Sequence, residues 1–205
     1  DLYGAIILKT GNAEGNTILN YLKPVPAKRK LASNYIRDFI TEDNGDVWIL
    51  TIQGLTKYDN KNERLIFRKI DFKNMTQSKE PVKKMIKDKD VFWITTDKHL
   101  IKYNINDSSF NIFTDEILLN EWSTNTISKN SSGMILLRAY KYLHIFDPYK
   151  ERFYRYKSHK NNLYGYFKNI IEDQTGTYFI SSSYGLNKAT PKKFNYKKLF
   201  GTYTH

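Results

Sequence analysis

A repeat of 43 to 45 residues extends through most of this 205-residue chain. Four leucines mark it: Leu55, Leu100, Leu143 and Leu186 lie 45, 43 and 43 residues apart. Within the copies, Tyr, Phe, Ile and Thr recur at alternate positions, and Gly or Asn-Asp turns separate the runs. This alternation is typical of short β-strands, whereas the HEAT and armadillo repeats of similar length are helical. The chain is therefore expected to consist of repeated, strand-rich units.

The clearest copy, residues 36–70, predicts four short strands with turns at Gly45 and Gly54. Four strands per repeat at this period are typical of the blades of a β-propeller. A blade must bury both faces of its sheet, so Trp48 and Trp93, at equivalent positions on second strands, should fill the space between adjacent blades. We expect an all-β chain of about four to five blades, at residues 1–30 (partial), 31–74, 80–115, 125–158 and 166–205.

The charge of the chain is strongly positive. Lys and Arg number 33 against 21 Asp and Glu, which gives a net charge of +12. Such an excess attracts polyanions, including nucleic acid, an anionic membrane surface, and sulfated or carboxylated sugars. A lysine-rich surface can equally serve solubility alone, so charge by itself selects no partner.

The sequence lacks the patterns expected of an enzyme or a metal site. Cys is absent, and the four histidines show neither H-E-x-x-H nor close ligand spacing. The acidic pairs Glu42/Asp43 and Glu172/Asp173 recur with the repeat, and adjacent strand residues point to opposite faces. Neither pair can therefore form the facing carboxylates of a glycosidase. We expect no catalytic residue, no metal and no cofactor.

Residues 42–59 carry the pattern E-D-x-G-x-x-W-I-x-T-x-x-G-L-x-x-Y-D. This pattern resembles the propeller repeat of two-component regulators, in a likeness that extends over about residues 31–200. In that family the repeats form the periplasmic sensor region of bacterial hybrid two-component system histidine kinases, usually as a ring of seven blades. The resemblance implies an oligosaccharide ligand and a homodimer formed through the full-length receptor. It also implies that the inner-membrane span and the kinase lie outside this chain.

Ligands of propellers bind at a rim formed by loops that rigid blades hold in place. Because strand direction alternates, the turn between the second and third strands shares a rim with the long connection between blades. The ligand-binding candidates on that rim are Arg37, Lys98, His99, Trp122, Tyr140, Lys141, His159 and Tyr184. Aromatic rings would stack on a pyranose, and Arg or Lys would bind a sulfate or carboxylate. Trp122 is the leading candidate, although it could instead anchor its own loop.

The leading hypothesis is an extracytoplasmic ligand-sensing propeller segment that signals by a non-covalent rearrangement. The alternative is a protein-interaction or dimerisation scaffold without a small ligand. A polyanion or nucleic-acid binder ranks third, and a steep dependence of binding on salt would mark it. An incomplete ring would expose unpaired strand edges, so a dimer, a swapped strand or poor solubility is expected for these residues alone.

Overall fold

The structure is a computed structural model that describes residues 5–10, 16–22, 31, 33, 35–77, 80–114, 124–139, 142–157, 167–182 and 185–189. Its first strands are β1 (Ala5–Thr10), β2 (Asn16–Leu22), β3 (Ile36–Thr41), β4 (Val47–Thr51), β5 (Gly54–Asp59) and β6 (Arg64–Lys69). A helix, α1 (Phe72–Thr76), follows. The later strands are β7 (Lys84–Asp88), β8 (Val91–Thr95), β9 (His99–Asn104), β10 (Phe110–Thr114), β11 (Thr124–Lys129), β12 (Ile135–Ala139), β13 (Tyr142–Asp147), β14 (Arg152–Lys157), β15 (Phe167–Glu172), β16 (Tyr178–Ser182) and β17 (Gly185–Ala189).

Strands that are neighbours in sequence are also neighbours in the sheets. β3–β6, β7–β10 and β11–β14 form four-stranded sheets, β15–β17 forms a three-stranded one, and β1 pairs with β2. Each four-stranded sheet corresponds to one copy of the sequence repeat, and this order of strands is that of a propeller blade. The predicted all-β class with four-stranded blades is confirmed, and the limits of the individual blades stay predictions.

The chain divides into two compact units, residues 1–85 and 86–205, and the division falls within β7. In the first unit, Leu31 and Ile49 form a buried cluster beside the sheet β3–β6. The Asp38 carboxylate accepts hydrogen bonds from Lys84 Nζ at 2.9 Å and from the Met85 N–H at 3.0 Å. These bonds join β3 to the start of β7.

In the second unit, neighbouring sheets pack face to face through two apolar clusters. The first cluster joins β7–β10 to β11–β14 and contains Trp93, Leu100, Ile135, Leu137 and Phe146. The second joins β11–β14 to β15–β17 and contains Leu136, Leu143, Ile170 and Ile180. Leu136 and Leu137 pack into opposite interfaces because successive strand residues point to opposite faces of the sheet. Trp93 thus fills the space between adjacent sheets, as its place in the repeat predicts.

The turn between the first and second strands recurs with a glycine at positive φ. Gly45, Gly133 and Gly176 have φ values of 83°, 83° and 79°. Their N–H groups donate to the carbonyl oxygen three residues earlier, as Gly45 does to Glu42 O at 2.9 Å. Glycine adopts this left-handed conformation without the penalty of a Cβ atom. The repeated glycines therefore have a structural cause.

A partly buried ion pair follows the first of these turns. The Asp46 carboxylate accepts a hydrogen bond from Lys57 Nζ at 2.7 Å and another from the Asn60 N–H at 2.8 Å. The hydrogen bond from Lys57 is the main reason why the pKa of Asp46 lies below its ordinary value of 3.8. The same bond raises the pKa of Lys57 above its ordinary value of 10.5.

Replacing Asp46 with asparagine should make the fold less stable and less dependent on pH. The lowered pKa means that ionised Asp46 stabilises the fold above pH 3.8 and that this contribution is lost as the pH falls through the folded-state pKa. The raised pKa of Lys57 gives a contribution that is fully present below pH 10.5 and is lost as the pH rises through the higher folded-state pKa. We expect a loss of about 1–3 kcal/mol at neutral pH, measured by urea unfolding. Asp43→Asn, at an exposed position, is the control. An unchanged pH profile in Asp46→Asn would contradict this role.

Candidate ligand-binding rim

In the second unit, corresponding strand ends of neighbouring sheets lie on the same side. Thr126 Oγ1, near the start of β11, donates to Lys168 O near the start of β15 at 2.9 Å. Lys129 Nζ, at the end of β11, lies 2.6 Å from Asp88 Oδ2 at the end of β7. We call the end where β8, β12 and β16 finish the upper rim, and the opposite end the lower rim. Of the predicted ligand residues of this unit, the structure describes Lys98 and His99, and both lie at the upper rim.

Lys98 and His99 lie in a turn that a buried threonine holds. Thr96 Oγ1 accepts hydrogen bonds from the Lys98 N–H at 3.2 Å and the His99 N–H at 2.9 Å, and the Thr96 N–H donates to His99 O at 3.0 Å. The His99 Nδ1 atom lies 2.8 Å from Thr114 Oγ1, at the end of β10. The turn therefore fixes the backbone from which both half-exposed side chains project.

The other predicted ligand-binding residues do not lie in this turn. Arg37 is exposed on β3 and belongs to the first unit, whereas Lys98 and His99 belong to the second. The remaining candidates lie outside the described residues: Trp122, Tyr140, Lys141, His159 and Tyr184. The role of all eight residues as a ligand site stays a prediction.

Sequence reasoning missed Arg138, which lies one residue before the end of β12 at the upper rim. Its side chain is half-buried, and burial lowers the pKa of its guanidinium group. The Arg138 Nε atom is buried without a hydrogen-bond partner, and so is Ser128 Oγ. The repeat could have indicated Arg138, because the equivalent residues of two other copies, Leu50 and Thr95, carry no charge.

The structure also contains a groove at the lower rim that the sequence did not predict. It has a volume of about 460 Å³ and its lining includes Asp88, Lys102, Lys129 and Tyr149. Lys129 forms an ion pair with Asp88, and Lys102 Nζ lies 5.7 Å from the centre of the Trp93 ring. These charges are already engaged in joining and covering the sheets. The groove is a second candidate ligand surface of the second unit.

Neither a metal centre nor a membrane helix is found in the described part of the chain. No group of three or more His, Asp or Glu side chains there is arranged to bind a metal ion. Within the same ranges, no helix has the length and apolar character needed to cross a membrane.

Solved structures that resemble the chain include extracellular domains and β-propellers. The extracellular domain of the BT4673 one-component system from B. thetaiotaomicron aligns with 99% of this chain, at a TM-score of 0.67 and 17% identity. That of the BT3049 hybrid two-component system from B. thetaiotaomicron aligns with 88%, at a TM-score of 0.64 and 20% identity. The WD40 β-propeller domain of Doa1 aligns with 77%, at a TM-score of 0.59 and 10% identity. The fold is that of a β-propeller. The predicted resemblance to the extracellular regions of two-component regulators is confirmed for the fold.

The propeller fold also serves catalysis in other proteins. Virginiamycin B lyase from Staphylococcus aureus aligns with 93% of the chain, at a TM-score of 0.61 and 10% identity. The chain spans only 27% and 24% of the lengths of the two B. thetaiotaomicron domains, and about half (51%) of the Doa1 domain. No protein-family model and no curated protein matches the chain.

Proposed function

We propose that the chain is part of an extracytoplasmic sensing propeller that binds an oligosaccharide at its upper rim and performs no catalysis. The observation that carries this proposal is the alignment of 99% and 88% of the chain with two extracellular domains of sensor systems. Binding would shift the geometry of the rim without covalent chemistry. The whole receptor, with its membrane span and kinase, would supply the homodimer and the output.

The contrast between the repeated residues, which are buried, and the residues of the rim supports the upper rim as the binding surface. The repeated positions Trp93, Leu100 and Leu143 are buried between sheets and cannot meet a ligand. The turn at Lys98 and His99 places a cation and an imidazole at the rim on a fixed backbone. Arg and Lys side chains bind carboxylates and sulfates strongly, which fits an acidic sugar and the net charge of +12.

A thermal-shift panel of neutral, carboxylated and sulfated oligosaccharides tests the proposal on the full chain. A sugar at 100 times its dissociation constant stabilises the folded state by about 2.7 kcal/mol, which raises the Tm of a domain of this size by at least about 5 °C. We expect one class of sugar to give such a shift and to retain it at raised salt. A shift given equally by every polyanion and abolished by salt would instead indicate nonspecific binding. No shift with any sugar would contradict the proposal.

A second candidate function, a docking scaffold without a small ligand, is favoured by one exposed apolar face. Leu186 is 69% exposed, whereas the equivalent Leu100 and Leu143 are 0% and 8% exposed because the next sheet covers them. Ile171 lies on the same outward face and is also exposed. For this second candidate, we propose that a second copy of this chain packs on the outward face that carries Leu186 and Ile171.

The substitution Leu186→Lys tests this docking. If the face joins two copies, light scattering should show a dimer for the unmodified chain and a monomer for Leu186→Lys. Tyr149→Lys, at a position that is 81% exposed elsewhere in the second unit, should leave the dimer intact. A monomer at all concentrations in the unmodified chain would contradict docking between copies.

A further inference from the structure

Arg138 occupies a position that the other copies of the repeat fill with uncharged residues. Strand register defines this position, because the residue there pairs with the repeated leucine of the third strand. The four pairs are Leu50 with Leu55, Thr95 with Leu100, Arg138 with Leu143, and Ser181 with Leu186. Leu50 and Thr95 are fully buried. A guanidinium group at this position is therefore a departure from the repeat at a packed interface.

The interface around Arg138 leaves polar groups unsatisfied. Arg138 Nε and Ser128 Oγ are buried and lack hydrogen-bond partners. Thr126 pairs with Arg138 and Ser128 with Leu136 in the register of β11 and β12, so all three polar side chains share one face. Thr126 is bonded to Lys168 O of the neighbouring sheet. A partly buried cation that has no anion beside it among the described residues is unfavourable, and a bound oxyanion would compensate its charge.

The charges of these two sheets are segregated between the rims. Within the described residues of β11–β17 and their turns, every carboxylate lies at the lower rim: Asp147, Glu151, Glu172 and Asp173. Arg138 lies at the upper rim, and Lys168 is exposed at the start of β15 on the same side. Among the described residues of these two sheets, the upper rim thus offers cations and hydrogen-bond donors and carries no carboxylate.

We propose that Arg138 binds an oxyanion group, a carboxylate or a sulfate, of the oligosaccharide that the propeller senses. The proposal rests on the function proposed above and adds the chemical class of the ligand and the residue that selects it. The mouth between β11–β14 and β15–β17 would receive the anionic group. Leu136, Leu143, Ile170 and Ile180 beneath it would exclude water and strengthen the charged hydrogen bonds.

The experiment measures sugar binding by calorimetry with the full chain and its variants. The probes are an oligogalacturonide, a galactan oligosaccharide sulfated at C6, and the neutral galactan oligosaccharide of equal length. The variants are Arg138→Leu, which introduces the residue of the β4 copy, and Arg138→Lys, which keeps the charge. Arg152→Leu, at an exposed position of the lower rim, is the matched control.

We expect an acidic probe to bind the unmodified chain more tightly than the neutral one does. Arg138→Leu should lower the affinity for that acidic probe roughly 10- to 100-fold while leaving the neutral affinity unchanged. Arg138→Lys should retain part of the acidic preference, and Arg152→Leu should retain all of it. Thermal unfolding should show that Arg138→Leu folds at least as stably as the unmodified chain, since Leu50 fits the same position.

The remaining outcomes separate this proposal from the function on which it rests. If sugars bind without an acidic preference, or if Arg138→Leu weakens neutral and acidic probes equally, the role of Arg138 is wrong and the sensing function stands. If no sugar of any class binds, both are wrong. The carboxylated and sulfated probes distinguish the two kinds of oxyanion by which of them loses affinity in Arg138→Leu.

Discussion

Replacing Phe146 with alanine is expected to lower the free energy of unfolding by about 3–5 kcal/mol. Phe146 is 0% exposed and belongs to the cluster that joins β7–β10 to β11–β14. Its ring centre lies 5.6 Å from that of Trp93, 4.6 Å from that of Phe113 and 4.8 Å from that of Phe153. Truncation would remove these contacts and leave a cavity between two sheets. Urea unfolding followed by tryptophan fluorescence measures the loss.

The matched control is Phe110→Ala on β10, where the ring is 46% exposed. We expect this variant to lose less than about 1 kcal/mol, because little apolar surface returns to water. Equal losses in the two variants would show that the two sheets are not held together by the cluster that contains Phe146.

Replacing Gly54 with alanine is expected to destabilise the first unit more strongly than the equivalent change at Gly185 destabilises the second. Both glycines begin a third strand and have positive φ values, 143° and 129°. A Cβ atom on Gly54 would clash with Arg68 O and lie 2.8 Å from Ile70 N, whereas one on Gly185 would meet nothing within 4 Å. Backbone strain should cost about 1–3 kcal/mol in each variant.

The clash should add about 1–3 kcal/mol more to Gly54→Ala. Circular dichroism during urea unfolding of both variants measures the difference. A greater loss of stability in Gly185→Ala than in Gly54→Ala would contradict the close approach of β6 to Gly54 at the start of β5.

The repeat predicted those parts of the fold that depend on residues close in sequence. Leu55, Leu100 and Leu143 recur, pair with second-strand residues and are buried, so the alternation of each strand was enough to place them. Trp93 was placed between sheets for the same reason. The repeat did not predict that Leu186 is exposed, because its exposure depends on what covers the outward face of the sheet β15–β17.

The site was less predictable because it depends on contacts between sheets. In the sequence, Arg138 resembles any polar residue near a strand end, and only the structure shows that its side chain is half-buried. The groove at the lower rim depends on the Asp88–Lys129 pair, whose members are 41 residues apart. Trp122 and His159 lie in connections that do not repeat, so no second copy could indicate their surroundings.

Amide NMR of the isotope-labelled chain maps the position of the bound sugar most directly. Binding at the upper rim predicts that an acidic oligosaccharide shifts amide signals at residues 96–99, 124–126, 138 and 167–169, and leaves the lower rim unchanged. Shifts confined to the lower-rim groove, at residues 88–91, 104–106 and 129–133, would contradict it.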